Sequence, residues 1–215
     1  KAGIAVAKYE NIMITDADGS YPPQDAVRLI NKFISQDMII GSRTGDNINI
    51  PMYRRPAKFF LNNFASFLSR QKVPDLNSGL RIFKKKSYEI YRHLLPNAFS
   101  FTSTITLSMI NDGKNVDFLP IDYLKRSGTS KIRPIQDFLN FTKLIIKMTL
   151  YFNPLKIFTL ISGFMLILAL SIFIYCKYYD FQLPDILLVS LIFTGITTYN
   201  LGLLADLVNS KSFKK

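Results

Sequence analysis

From Leu155 to Cys176 the chain reads LKIFTLISGFMLILALSIFIYC, and from Ile186 to Ala205 it reads ILLVSLIFTGITTYNLGLLA; apart from Lys156, neither run carries a charge. The hydrocarbon core of a bilayer takes about 20 apolar residues of helix, so each run is long enough to cross one. Lys177 to Asp185 form the short connection, which predicts a hairpin of two transmembrane helices within residues 154–210, at about 155–176 and 186–207. Either run alone would suit the core helix of a soluble protein, but two in close succession favour the membrane. Asn200, the one strongly polar residue inside the second run, reads as an interhelical hydrogen-bonding group.

Charge orients the hairpin. The 215 residues carry 27 Lys plus Arg against 15 Asp plus Glu, a net charge of +12. Lys131, Arg133, Lys143, Lys147 and Lys156 precede the first run, and Lys211, Lys214 and Lys215 follow the second, whereas the connection has only Lys177 beside Asp180 and Asp185. The positive-inside rule then puts both the N-terminal part and the C-terminus in the cytoplasm. Because the basic residues follow the membrane boundary and no aromatic-basic platform accompanies them, nucleic acid is not among the expected partners. Residues 135–153 are amphipathic, with Asp137, Asn140, Lys143 and Lys147 on one helical face. They suit a helix lying in the membrane interface and equally one packed on the soluble domain. The single cysteine, Cys176, excludes an intrachain disulfide, and the single histidine, His93, has no second imidazole with which to bind a metal.

Residues 1–134 alternate in the manner of an α/β domain. Ala5–Lys8 read as the end of a helix and Ile12–Thr15 as a buried strand. A helix follows through Ala26–Ile34, then a short strand over Met38–Ile40 ending in Gly41-Ser42-Arg43. The next helix spans Ala57–Ser69, with Phe60, Phe64, Phe67 and Leu68 as its core stripe. Leu80–Phe83 suit a strand, Phe101–Asn111 a helix, and Val116–Tyr123 a last strand that Pro120 assigns to an edge or bulge.

The first strand runs into Asp16-Ala17-Asp18-Gly19-Ser20. Two carboxylates at i and i+2 leaving a pleat on one side suit a divalent metal on a diphosphate, which takes only one or two such ligands. An Asp-rich turn accounts for the same residues, since Asp, Gly, Ser, Pro22 and Pro23 all favour turns.

In order, DADGSYPP (16–23), GSR (41–43), DLNSGLRIF (75–83) and RSGTSK (126–131), followed by the apolar hairpin, resemble the polyprenyl-phosphate glycosyltransferases of glycosyltransferase family 2, which include dolichyl-phosphate mannose synthases. The resemblance implies an α/β fold: a partial GT-A (nucleotide-diphosphosugar transferase) domain followed by the transmembrane hairpin. It also implies inverting transfer of a hexose from a nucleotide diphosphate sugar to a membrane polyprenyl phosphate, with Mg²⁺ or Mn²⁺ as cofactor.

On that resemblance Asp16 and Asp18 hold the metal, joined by Ser20 where some relatives have Gln, and Arg43 binds the donor diphosphate, with Arg54 or Arg55 as further candidates. Asp75 is the catalytic-site carboxylate, expected to orient groups, because an acceptor phosphate needs no proton removed. Arg126, Ser130 and Lys131 engage the acceptor phosphate. Lys1 already lies in the last turns of a helix, with no glycine-rich nucleotide loop before it, so an N-terminal segment that grips the nucleotide is expected upstream. The competing expectation is a non-catalytic truncated scaffold that assembles with full-length copies as a homo-oligomer. A membrane-tethered phosphatase using Asp16 as nucleophile would need a later Lys and acidic pair that the sequence does not offer.

Overall fold

The computed structural model describes residues 1–49, 52, 55–96, 100–125 and 134–212. The chain divides into two compact units, Lys1–Met148 and Thr149–Lys215.

The first unit is a mixed α/β domain. Helix α1 (Ala2–Val6) leads to β1 (Asn11–Ile14), α2 (Pro23–Lys32) and β2 (Met38–Ile48); α3 (Arg55–Ser69), β3 (Arg81–Lys84), α4 (Lys85–Tyr91), α5 (Phe101–Asn111), β4 (Val116–Tyr123) and α6 (Pro134–Phe152) follow. The strand order is β1-β3-β2-β4, with β3 antiparallel to both β1 and β2, and β2 parallel to β4. Leu29, Ile39, Leu80, Ile82 and Ile121 form the core on one side of this sheet, together with Tyr21. Burying each such aliphatic side chain contributes about 1.5–3 kcal/mol.

Helix α2 starts where the prolines allow: Pro22 is its N-cap and Pro23 its first residue, a position with no amide hydrogen to leave unpaired. Asp25 in its first turn accepts from Arg28 and from the backbone N–H of Asp122, tying α2 to β4. Helix α5 is buried from Ser103 to Ile110. Its hydroxyls are tolerated there because several bond locally, Thr104 to Ser100 O at 2.8 Å and Thr106 to Thr102 O at 2.8 Å.

Three expectations change. Strand β2 is not a three-residue element ending before the GSR motif; it runs through that motif to Ile48. Parallel pairing with β4 carries it on, from Met38↔Val116 to Arg43↔Ile121, and after a register shift to Ile48↔Tyr123. Strand β1 stops at Ile14, so Asp16 and Asp18 stand in the turn beyond the pleat rather than on it. In α3 the expected core stripe holds at Leu68 but not at Phe60 and Phe67, which are 51% and 56% exposed; Phe64 is half-buried, and Ala65 joins Leu68 in the buried contacts.

The second unit is built on α7 (Pro154–Tyr178) and α8 (Asp185–Ser212), both long and apolar enough to cross a membrane. Asn153 caps α7 by accepting from the Lys156 N–H. The two helices meet at Ser162, whose hydroxyl donates to the Gly195 carbonyl at 2.8 Å. Asn200, expected in that role, is exposed. Its position on α8 lies outside the small-residue seam where backbone approaches backbone.

At Gly45 β4 passes close against β2: a Cβ there would lie 2.7 Å from the Ile121 carbonyl oxygen, a backbone atom unable to swing aside. Gly45→Ala should therefore destabilise the α/β unit by about 1–3 kcal/mol, as overpacking does. Thermal unfolding of the detergent-solubilised chain checks this.

Candidate active site

Strand directions bring the sequence motifs together. With β3 antiparallel to β1 and β2, the C-terminal end of β1 and the third residue of β2 lie beside the N-terminal end of β3, so that Arg81 stands opposite Ile14 on one side and Ile40 on the other. Carrying the β1–β3 register two residues further sets Asp16 opposite Gly79. The pairing is intimate: a Cβ on Gly79 would come 2.4 Å from Asp16 Oδ2. Only a glycine leaves the Asp16 carboxylate its place.

Asp16 is exposed and Asp18 half-buried. Ser20 is fully buried, and both its N–H, at 3.1 Å, and its hydroxyl donate to Asp18 Oδ1. Ser20 thus fixes the orientation of Asp18, and its hydroxyl would have to leave that bond to serve as a third ligand. Among the described residues no group of three or more His, Cys, Asp or Glu could hold a metal. The protein offers a carboxylate pair, the number that Mg²⁺ on a diphosphate takes, with one carboxylate open to solvent and held against a bare Cα.

The other half of the site is organised by Asp75, which is fully buried in the turn before β3. Arg43 on β2 reaches it through three bonds: backbone N–H to Oδ2 at 3.0 Å, Nε to Oδ2 at 2.7 Å and Nη2 to Oδ1 at 2.9 Å. Lys58 on α3 adds Nζ to Oδ2 at 3.0 Å. Arg43 Nη2 also donates to Asn77 Oδ1 at 2.8 Å, and the guanidinium lies over the Tyr123 ring, 5.1 Å from its centroid. Burial alone would push the Asp75 pKa up, but the Arg43 charge and hydrogen bonds, together with Lys58, hold the carboxyl well below the usual carboxylate range. Burial draws the Lys58 pKa down, and Asp75 offsets part of that shift. An ionised carboxylate whose two oxygens accept four N–H bonds is an anchor for cations, not a proton acceptor.

Arg81 is fully buried. Its Nη1 donates to Thr102 O at 2.7 Å and Thr106 Oγ1 at 2.8 Å, and its Nη2 to Ser78 O, while Nε has no hydrogen-bond partner. Burial lowers its pKa to about 10. Arg81 thereby ties the Ser78-Gly79 turn to α5. From the other side the Tyr21 hydroxyl accepts the Gly79 N–H at 2.7 Å.

The structure therefore gathers Asp16, Asp18, Ser20, Arg43 and Asp75 at one end of the sheet. Arg126, Ser130 and Lys131 lie outside the described residues, as does Arg54; Arg55 is exposed at the start of α3. Lys58 and the tyrosines Tyr21 and Tyr123 were not legible as site residues. An ion pair between a helix and a turn 17 residues away leaves no local spacing to read.

Because the folded pKa of Asp75 lies below its unfolded value of about 3.9, its stabilisation is complete well above that pH and is lost as pH falls toward the folded pKa. Asp75→Asn leaves Arg43 and Lys58 without their carboxylate and should lower stability at pH 7 by about 3–5 kcal/mol. Denaturant unfolding of both proteins should show that deficit narrowing as the pH drops below about 4.

Comparison with known proteins agrees with the motif order. No known family profile matches the chain. It is similar to polyprenol monophosphomannose synthase of Mycolicibacterium smegmatis, 28% identical over 131 residues, covering 58% of this chain and 49% of the relative. It is also similar to undecaprenyl-phosphate mannosyltransferase of Micrococcus luteus, 24% identical over 130 residues, covering 58% of this chain and 54% of that protein. An uncharacterized protein of Methanocaldococcus jannaschii is 30% identical over 133 residues, 56% of this chain and 55% of its own length. The chain spans about half the length of the curated relatives it matches. In its motif order and in these relatives, the chain is similar over 58% of its length to polyprenyl-phosphate glycosyltransferases.

Proposed function

We propose that the protein transfers a hexose from a nucleotide diphosphate sugar to a polyprenyl phosphate at the cytoplasmic face of a membrane, with inversion and with Mg²⁺ or Mn²⁺. Mannose is the first sugar to test, since two relatives are mannosyl transferases by name. The observation that carries the reading is the meeting, around one turn from Asp75 to Gly79, of a carboxylate pair with Asp16 open to solvent and a half-buried arginine anchored on Asp75. Anchoring to the membrane is supported by α7 and α8, and the inward orientation by the excess of Lys and Arg on their flanks.

In this reading Asp16 and Asp18 hold the cation, and the bound cation supplies Lewis acidity toward the departing diphosphate. Arg43, its Nε and Nη2 committed to Asp75 and Asn77, turns Nη1 to a donor phosphate oxygen, a contact made rigid by Asp75. Asp75 does not take a proton. Its oxygens are covered, and the acceptor is already an anion near neutral pH. Ser20 keeps Asp18 turned toward the cation, and Arg126, Ser130 and Lys131 receive the acceptor phosphate. Inversion follows if the acceptor oxygen attacks the anomeric carbon directly from the face opposite the diphosphate.

The test is formation of lipid-linked sugar by the full-length protein in membranes supplied with labelled nucleotide sugars and polyprenyl phosphate. Asp18→Asn should abolish product while leaving the protein membrane-inserted, and undiminished turnover would remove the metal assignment. Gly79→Ala displaces the Asp16 carboxylate without changing a ligand, and should raise the Mn²⁺ concentration for half-maximal activity by about 10-fold or more. Arg126→Ala should weaken the lipid acceptor far more than the nucleotide sugar; equal losses would take Arg126 out of the acceptor site.

A further inference from the structure

One side of helix α8 is taken up by α7. Leu188, Gly195 and Gly202, seven residues apart, are buried there, and a Cβ on Gly202 would lie 2.5 Å from the Phe158 Cβ. Asn209, seven residues further on, donates its carboxamide N–H to the Phe152 carbonyl at 3.3 Å. The polar residue at the end of this seam is therefore satisfied.

The opposite side of α8 repeats with the same period. Ile186, Phe193, Asn200 and Leu207 stand at intervals of seven, with Ser190 and Thr197 four residues after the first two, which are the a and d positions of a second heptad. Asn200, five residues beyond Gly195, lies about 140° around the helix from the seam. Ile186 is 88% and Phe193 67% exposed, and a groove lined by Ile186, Ser190 and Phe193 among others runs along this face. The two hydroxyls are satisfied within the helix, Ser190 by the Leu187 carbonyl at 2.8 Å and Thr197 by the Phe193 carbonyl at 2.9 Å. Asn200 differs. It is exposed, and among the described residues its carboxamide has no hydrogen-bond partner. Lipid acyl chains offer none either.

The chemistry of the carboxamide selects the occupant. It holds donors and an acceptor together, so two copies of Asn200 brought face to face complete each other's hydrogen bonds. Copies inserted in one orientation stand parallel, and a twofold axis along the membrane normal then sets each a residue against its own counterpart. A single Asn at an a position fixes the register of such a pair. We infer that the face of α8 from Ile186 to Leu207 is a self-association surface, on which two copies of the chain pack in parallel and their Asn200 side chains hydrogen-bond across the axis. The inference rests on the reading of α7 and α8 as membrane spans and on no part of the transfer reaction.

The full chain, carrying a donor or an acceptor fluorophore at its C-terminus, is reconstituted into phosphatidylcholine vesicles, and energy transfer is followed as lipid dilutes the protein. Transfer should exceed chance proximity. Asn200→Leu should weaken association about 10-fold, Asn200→Gln should restore most of it, and Tyr199→Phe, which removes a polar group at the same depth on the flank, should leave it unchanged. Cys176 is the chain's only cysteine, so in a Cys176→Ser background an introduced cysteine reports alone. Phe193→Cys should cross-link to its counterpart under mild oxidation, and Leu203→Cys, on the flank, should not. Alkaline carbonate extraction of membranes from cells expressing the chain checks the spans separately. Transfer at chance level in the unaltered chain, or undiminished in Asn200→Leu, overturns the proposal, and carbonate resistance then leaves the spans standing. Cross-linking at Leu203→Cys in place of Phe193→Cys assigns the contact to another side of α8 and overturns it as well. A chain that carbonate extracts removes the membrane reading and this inference with it.

Discussion

A single buried carboxylate decides how the site is arranged. Asp75 has no water to share its charge with, and in a low-dielectric interior an unpaired carboxylate would take up a proton. Arg43 and Lys58 prevent this, and in doing so they draw a strand, a helix and a turn to one point. The arginine is held by its backbone as well as its side chain, so β2 cannot slip along β4 without breaking the anchor. Removing the carboxylate would leave two cations in the same place, a larger penalty than the pair's own net worth.

Much of the architecture was legible because its cause is local. Helix α5 and strand β4 have the bounds their residues indicate, and β4 is the edge strand that Pro120 suits; α2 lies where its apolar period is but is shifted, spanning Pro23–Lys32 rather than Ala26–Ile34 because the prolines fix its first turn. The misreadings have non-local causes. Nothing within GSRTGDNI announces a strand; β2 is extended there because β4 lies alongside it. The phenylalanines of α3 look like core in a pattern that counts apolar residues, because periodicity identifies a face and not what covers it.

The site divides the same way. DADGS and GSR could be located by their residues, and the register of an antiparallel pair then brings Asp16 to Gly79, a contact no reading of either motif alone would contain. Lys58 was invisible for the opposite reason: a lysine on a helix is ordinary until a buried anion is found beside it. Asn200 drew attention as the one polar residue in an apolar run, yet the hydroxyl of Ser162, a residue small enough to sit in the seam, makes the interhelical bond.

The turn from Asp75 to Gly79 is five residues long, and it serves two masters. Its first residue grips Arg43, and its last lies against Asp16, while Tyr21 and Arg81 brace it from opposite sides. Carboxylate pair and arginine fork are therefore not separate parts that happen to be close; they are mounted on one bracket. A sequence drifting under mutation cannot adjust the spacing of one without moving the other, so any change in the distance between cation and phosphate has to come from the ligand or from the whole turn moving as a body.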